Sequence, residues 1–280
     1  MDNYQLTQDQ ITAYGVCLRT EEHTPSTIEK YLRDTRAFAV WLEGRPVTRE
    51  LAAEWRDRLL SSGHKPSTVN SMLAAVNGLF RFLGWGIRVK FLKVQRRLFR
   101  DQSRELTPGE YDLLVNTARA AGKERLALLM EAVCATGVRV SEVKYLTVEA
   151  AQCGRAEIAL KGKIRMILLP NKLCRKLLKY ARKQKIASGE IFLTRSGRSL
   201  SRRQIWAEMK QLCKATGVAS EKVYPHNLRH LFARTFYQAC KDIARLADVL
   251  GHSSIETTCI YLVTTGAEQV RQLDRLGLVS

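Results

Sequence analysis

Four short stretches of this chain set arginine, histidine, glutamate and tyrosine at fixed spacings. Ala135-Thr136-Gly137-Val138-Arg139-Val140-Ser141-Glu142 puts an arginine just beyond a glycine break, with a glutamate three residues on to buttress the guanidinium. Pro225-His226-Asn227-Leu228-Arg229-His230 places His226 and Arg229 three apart near a helix start. Leu250-Gly251-His252-Ser253-Ser254 follows, and Thr257-Thr258-Cys259-Ile260-Tyr261 carries a tyrosine nine residues after His252. Phosphoryl transfer asks for these residue types. Charge gathers on the non-bridging oxygens of a phosphodiester under attack, and a planar guanidinium fork holds two such oxygens better than an ammonium does. A tyrosine hydroxyl is ordinarily a poor nucleophile at neutral pH, and gains from nearby guanidinium charge and a base. Histidine titrates near working pH and suits proton transfer. Each residue alone has a plainer reading, an arginine in a surface salt bridge or one of nine tyrosines packed on a helix.

The charge balance supports a phosphate partner. Forty-six Lys and Arg stand against 27 Asp and Glu, a net +19 with a pI near 9.9, and a polyanion is the natural complement because each neutralised phosphate releases counterions. Other classes recede. No run approaches the roughly 18 apolar residues of a membrane span, and the start, MDNYQL, does not read as a signal peptide. Seven cysteines, none at C-x-x-C spacing, argue against a disulfide framework or a cysteine zinc site and for a reducing, cytoplasmic setting. His226 and His230 have the i,i+4 spacing of a zinc pair, but no H-E-x-x-H word or cysteine cluster accompanies them, so no metal is expected.

These residues need elements to hold them, and 280 residues suffice for two domains. Residues 1–86 read as four amphipathic helices. Thr7-Gln8-Asp9-Gln10 has capping-box spacing and opens the first. Thr24-Pro25 opens the second, with Ile28, Tyr31, Leu32, Thr35, Phe38, Ala39 and Leu42 on one face. A third spans about 48–61, and a fourth runs from Pro66 to the stop at Gly84-Trp85-Gly86. Residues 87–105 are a basic segment in which Arg88, Lys90, Lys93, Arg96, Arg97, Arg100 and Arg104 face only Asp101 and Glu105. It reads as an interdomain linker, as a strap along a phosphate backbone, or as both. A second domain, 106–280, opens on the cap word Leu106-Thr107-Pro108-Gly109-Glu110. It is mostly helical, with a β-hairpin over 155–169 that turns at K-G-K and is ended by Pro170. The fold class is therefore mainly α with a small antiparallel sheet.

Taken together, ATG-x-R-x-SE, H-x-LRH, LGHSS and a tyrosine nine residues beyond that histidine resemble the signature of the tyrosine recombinases, the phage integrase family. The spacing is most similar to simple Xer-type recombinases and transposon resolvases, and the resemblance runs the whole chain. It implies a SAM-like, core-binding N-terminal domain and a catalytic C-terminal domain. It also implies site-specific DNA recombination by cutting and rejoining strands through a 3′-phosphotyrosine, with no cofactor. Tyr261 would be the nucleophile, Arg139 and Arg229 the phosphate clamp, and His226 the acid/base partner. His252 would donate to the scissile phosphate or orient the site, and His230 would be structural. The family's hairpin lysine, which protonates the leaving 5′-oxygen, matches Lys161 in Leu160-Lys161-Gly162-Lys163. The turn is about one residue shorter than the common K-G-x-K form, and Lys163 stays a rival.

The resemblance further implies a homotetramer on its double-stranded DNA site and a monomer or weak oligomer when free. Val270, Leu273 and Leu276 at helical spacing fit a C-terminal helix packed on its own domain or on a neighbour. Integration and excision of a mobile element, cointegrate resolution and chromosome dimer resolution all remain compatible with these residues. A non-catalytic DNA-binding module is disfavoured because the full set of motif residues is present. A type IB topoisomerase-like enzyme with the same tyrosine chemistry is disfavoured by the dedicated site-binding domain and the small size.

Overall fold

Threonines and prolines set the helix starts of the first unit. Thr7 caps α1 (Gln8–Thr20) in a reciprocal capping box with Gln10. Pro25 and Pro66 sit in the first turns of α2 (Pro25–Leu42) and α4 (Pro66–Phe82), where a missing N–H removes no helical bond. The Thr48 hydroxyl caps α3 (Arg49–Ser61). The computed structural model describes residues 4–94, 102–160, 163–252, 254–261, 270, 271 and 274–276. The chain divides into two compact units, Met1–Arg96 and Arg97–Ser280.

Phe38 anchors the core of the first unit, meeting Trp55 and Phe80 edge-on at 5.0 and 5.8 Å. The basic segment begins inside this unit. Ile87 and Val89 are buried in the same core, while Arg88, Lys90 and Lys93 alternate outward. Two asparagine side chains on α4 act as a strand's edge for this extended stretch. Asn77 donates to the Val89 carbonyl and accepts from its N–H, both at 2.9 Å. Asn70 does the same for Leu92 at 2.9 and 2.8 Å.

In the second unit Thr107 and Glu110 form the capping box of α5 (Pro108–Ala120). Helix α6 (Glu124–Thr136) buries Leu126 through Met130, Ala132 and Val133, and a helix apolar on nearly all sides belongs at the centre. After α7 (Val148–Cys153), strands β1 (Arg155–Leu160) and β2 (Lys163–Leu168) pair antiparallel, with Arg155 opposite Leu168 and Leu160 opposite Lys163. Ala156, Ile158 and Ile167 face inward while Met166 and Leu168 are exposed, the period of two that a half-covered ribbon requires.

Helix α8 (Asn171–Lys183) starts after Pro170. Helix α9 (Arg202–Thr216) opens on a Ser201–Gln204 capping box, and α10 (Pro225–Cys240) has proline in its first turn. Two short helices follow, α11 (Ile243–Leu250) and α12 (Ile255–Cys259). Helices α5, α8, α9 and α10 surround α6. The architecture is mainly α with one two-stranded antiparallel sheet among the described residues. No described helix is long and apolar enough to cross a membrane.

Candidate functional site

Two helix C-termini gather the guanidiniums. Helix α6 ends on Gly137 and α11 on Gly251, both in the left-handed conformation at φ +64° and +62°. The carbonyls at such ends have no partner within the helix and carry its negative pole, so they attract cations. Arg229, on α10 and only 1% exposed, donates from Nη1 to the Gly137 carbonyl and from Nη2 to the Leu250 carbonyl at 2.8 Å. A Cβ on Gly137 would stand 2.5 Å from the Phe232 ring and 2.9 Å from Leu250, so the close approach of α6, α10 and α11 needs glycine there.

Glu142, buried at 2% exposure, holds two more arginines. Arg139 precedes the 3₁₀ turn Val140–Tyr145, and both its N–H and its Nη1 donate to the Glu142 carboxylate at 2.8 Å. Its Nη2 donates to the Gly251 carbonyl at 3.3 Å. From the inner face of β2, Arg165 donates from Nη2 to Glu142 at 3.0 Å and from Nη1 to the Leu250 carbonyl. Three guanidiniums thus share one carboxylate and three main-chain carbonyls. Burial, with Arg229 and Arg139 adding to it against Glu142, lowers Arg165 to about 10. Burial also pushes Arg229 below the usual arginine range, opposed chiefly by its hydrogen bond with Tyr261.

The histidines complete the group. His252 Nε2 lies 2.9 Å from Arg229 Nη2, and its Nδ1 lies 2.9 Å from the buried Thr258 hydroxyl. Burial, then Arg229, Arg139 and Arg165, lowers His252 to about 4. His226, at the exposed rim, is held below the ordinary histidine range by desolvation, then by Arg229, Arg139 and Arg202. Tyr261, 3% exposed, follows α12. Its ring lies near-parallel to His252 at 5.9 Å and meets the His230 ring edge-on at 4.6 Å. Arg139, Arg229, His252 and Tyr261 therefore lie in one connected cluster. His226 joins it through its ring contact with His230 at 4.9 Å.

A cavity of about 730 Å³ opens over this cluster, lined by Arg139, His226 and Arg229 together with Arg202, Arg203 and Trp206 of α9. His252 and Tyr261 are not among its lining residues. Lys161 lies outside the described residues, as do Arg96, Arg97, Arg100 and Leu273. Lys163 is described only as the first residue of β2. Among the described residues no group of three or more His, Cys, Asp or Glu could hold a metal ion.

Two features escaped the sequence reading. Arg165 carried a signal, since the period of two puts it on the same strand face as Ile167, where a charge is out of place. Arg202, Arg203 and Trp206 carried only a local one, a pair of arginines beside an aromatic just after the Ser201 cap.

Known proteins resemble this chain along the same lines. Residues 104–267 match the phage integrase family, and residues 11–86 match the phage integrase N-terminal SAM-like domain. Tyrosine recombinase XerC of Roseiflexus castenholzii (strain DSM 13941 / HLO8) is 32% identical over 282 residues, covering 90% of this chain and 88% of the relative. Tyrosine recombinase XerD of Brucella suis biovar 1 (strain 1330) is 31% identical over 265 residues, covering 84% of this chain and 86% of the relative.

Among solved structures, a lambda integrase tetramer bound to a Holliday junction matches with a TM-score of 0.73 at 19% identity, over 93% of this chain and 78% of that one. XerH recombinase in a post-cleavage complex with palindromic difH matches with a TM-score of 0.71 at 19% identity, over 93% and 87%. A mostly helical chain with one small hairpin, a SAM-like first unit and a second unit matched over residues 104–267 belongs to the phage integrase family, the tyrosine recombinases.

Proposed function

We propose that this chain recombines double-stranded DNA at a specific site, with Tyr261 as nucleophile. The observation that carries the reading is the meeting of Arg139, Arg229 and His252 with Tyr261 in one cluster, drawn from segments as far apart as residues 139 and 261. The Tyr261 oxygen bonds to phosphorus as the bond from phosphorus to the 5′-oxygen breaks. The phenol proton passes to His226, and the leaving oxygen takes a proton from a hairpin lysine, Lys161 or Lys163. The product is a 3′-phosphotyrosine, and reversal on a partner strand rejoins the DNA without a cofactor.

Arg139 and Arg229 hold the non-bridging oxygens. Their positions are set by main-chain carbonyls and Glu142, so little reorganisation accompanies the charge that develops in the transition state. Of the two roles open to His252, the geometry favours orientation. Its Nε2 accepts from Arg229, so it steadies that guanidinium.

We assign core-site binding to residues 1–86, backbone contact to the basic segment 87–105, and cleavage to 106–280. The active assembly is a homotetramer on DNA, a reading supported by the fold likeness to the lambda integrase tetramer on a Holliday junction. Arg202, Arg203 and Trp206 continue the cationic cavity wall and would meet DNA beside the scissile phosphate.

The test is a covalent adduct. DNA carrying the site, recovered by selecting bound sequences from a random library, is incubated with the protein and run on a denaturing gel. The native protein should give a protein–DNA band that Tyr261→Phe abolishes while still binding. An adduct that persists in Tyr261→Phe, or none with the native protein on a verified site, refutes the assignment.

A further inference from the structure

We propose that Arg165 is a positioning residue for leaving-group protonation: it fixes the β1–β2 hairpin, and so the lysine at its turn, against the residues that hold the phosphate clamp. The inference rests on the proposed function, in which a hairpin lysine is the proton donor.

The hairpin is a two-stranded ribbon with no third strand among the described residues, and such ribbons hold their place only through what they pack on. Among the described side chains its inner face is otherwise apolar, with Ala156, Ile158 and Ile167 buried. Arg165 breaks that pattern. Its side chain is 15% exposed and spans from Glu142 to the Leu250 carbonyl. Both anchors are shared, because Glu142 also holds Arg139 and the Leu250 carbonyl also holds Arg229.

One side chain therefore ties the strand to both clamp arginines through their own partners. Lys163 stands two residues along β2, roughly 7 Å away at strand rise, and Lys161 two residues further along the chain. Space for the guanidinium is made by Gly251, where a Cβ would lie 2.4 Å from Arg165 Cδ.

Stability alone gives little reason for a third cation here. A buried guanidinium beside two others carries desolvation and repulsion that a methionine of similar length would avoid.

A substrate change separates positioning of the proton donor from support of the clamp. In DNA with sulfur in place of the bridging 5′-oxygen, the leaving thiolate needs no proton. On ordinary DNA, Arg165→Met should slow adduct formation by roughly 100-fold, the scale of general acid catalysis, with DNA affinity within about twofold of native. On the sulfur-bridged DNA it should return to within a few-fold of the native rate. Arg165→Lys serves as a second variant, keeping a cation that cannot span both anchors, and should show the same rescue.

Equal slowing on both substrates would overturn the proposal, as would no slowing on either. Lys161→Ala and Lys163→Ala tell this failure from that of the underlying function. If one lysine variant is rescued by sulfur and Arg165→Met is not, only the role of Arg165 falls. If neither lysine variant is rescued, the hairpin donor falls and the positioning role falls with it.

Discussion

Nη2 of Arg229 lies 2.9 Å from Nε2 of His252, and since a guanidinium has only hydrogens to give, the ring nitrogen is the acceptor. The proton of the neutral ring is then on Nδ1, which donates to the Thr258 hydroxyl at 2.9 Å. Burial disfavours the charged ring first, and a protonated ring would also turn a second N–H towards Arg229; together these lower it to about 4.

Stability should therefore fall on mild acidification. Between about pH 6.5 and pH 4 the unfolded chain takes up a proton that the folded ring refuses, so stability rises with pH across that window and is complete above it. The upper bound is about 3 kcal/mol, and His226, shifted the same way, adds to it. Glu110 and Glu131 are held below their ordinary range, so their contribution is lost only at lower pH, below about 4.5. Urea unfolding at pH 7 and pH 5 should show a loss that shrinks in His252→Asn. An equal loss in that variant would contradict the assignment.

Glu142→Gln should be costly in two ways. It leaves Arg139 and Arg165 without their shared carboxylate in a buried setting, an effect on the order of 3 kcal/mol. It also frees Arg139, one arm of the proposed phosphate clamp, so adduct formation should drop at least tenfold beyond any loss of folded protein. Denaturant melts read the first effect and single-turnover cleavage the second, and a variant native in both would show that Glu142 is dispensable.

Two glycines offer a paired comparison. Gly137 and Gly154 both end helices in the left-handed region, at φ +64° and +70°. A methyl group on Gly154 meets nothing within 4 Å, whereas on Gly137 it strikes Phe232 and Leu250. Gly154→Ala should cost about 1 kcal/mol from backbone conformation alone. Gly137→Ala should cost roughly 2 kcal/mol more from overpacking. Thermal melts that rank the two equally would refute the packing argument.

The basic segment is tested by salt. Arg88, Lys90 and Lys93 are exposed on the first unit. If they meet phosphates, replacing all three with alanine should reduce the log–log salt slope of DNA binding by about 0.9 for each phosphate left unneutralised, on any sequence. Arg96→Ala with Arg97→Ala tests the neighbouring stretch in the same way. An unchanged slope in both variants would make the segment a linker only.

Much of this was legible in the sequence because it is local. The Thr7 and Thr107 capping boxes, the prolines at helix starts and the alternation of the hairpin are written within a few residues of where they act. The site motifs were legible as words. What gathers them was not, since the Leu250 carbonyl that Arg165 meets is 85 residues away and has no side-chain identity to read. The same holds for Asn70 and Asn77, ordinary helix residues in the sequence, whose amides take up the main chain of Leu92 and Val89. His230, read as structural, lies edge-on to the Tyr261 ring, a contact that spacing along α10 does not announce.

The shared carbonyls have a thermodynamic consequence. Arg139 and Arg165 meet on Glu142 with Arg229 beside them on main-chain carbonyls, so three like charges face one another before any anion arrives. On the proposed reading an entering phosphate offsets that repulsion, so folding and DNA binding should be reciprocally linked and the protein should melt higher on its substrate than off it.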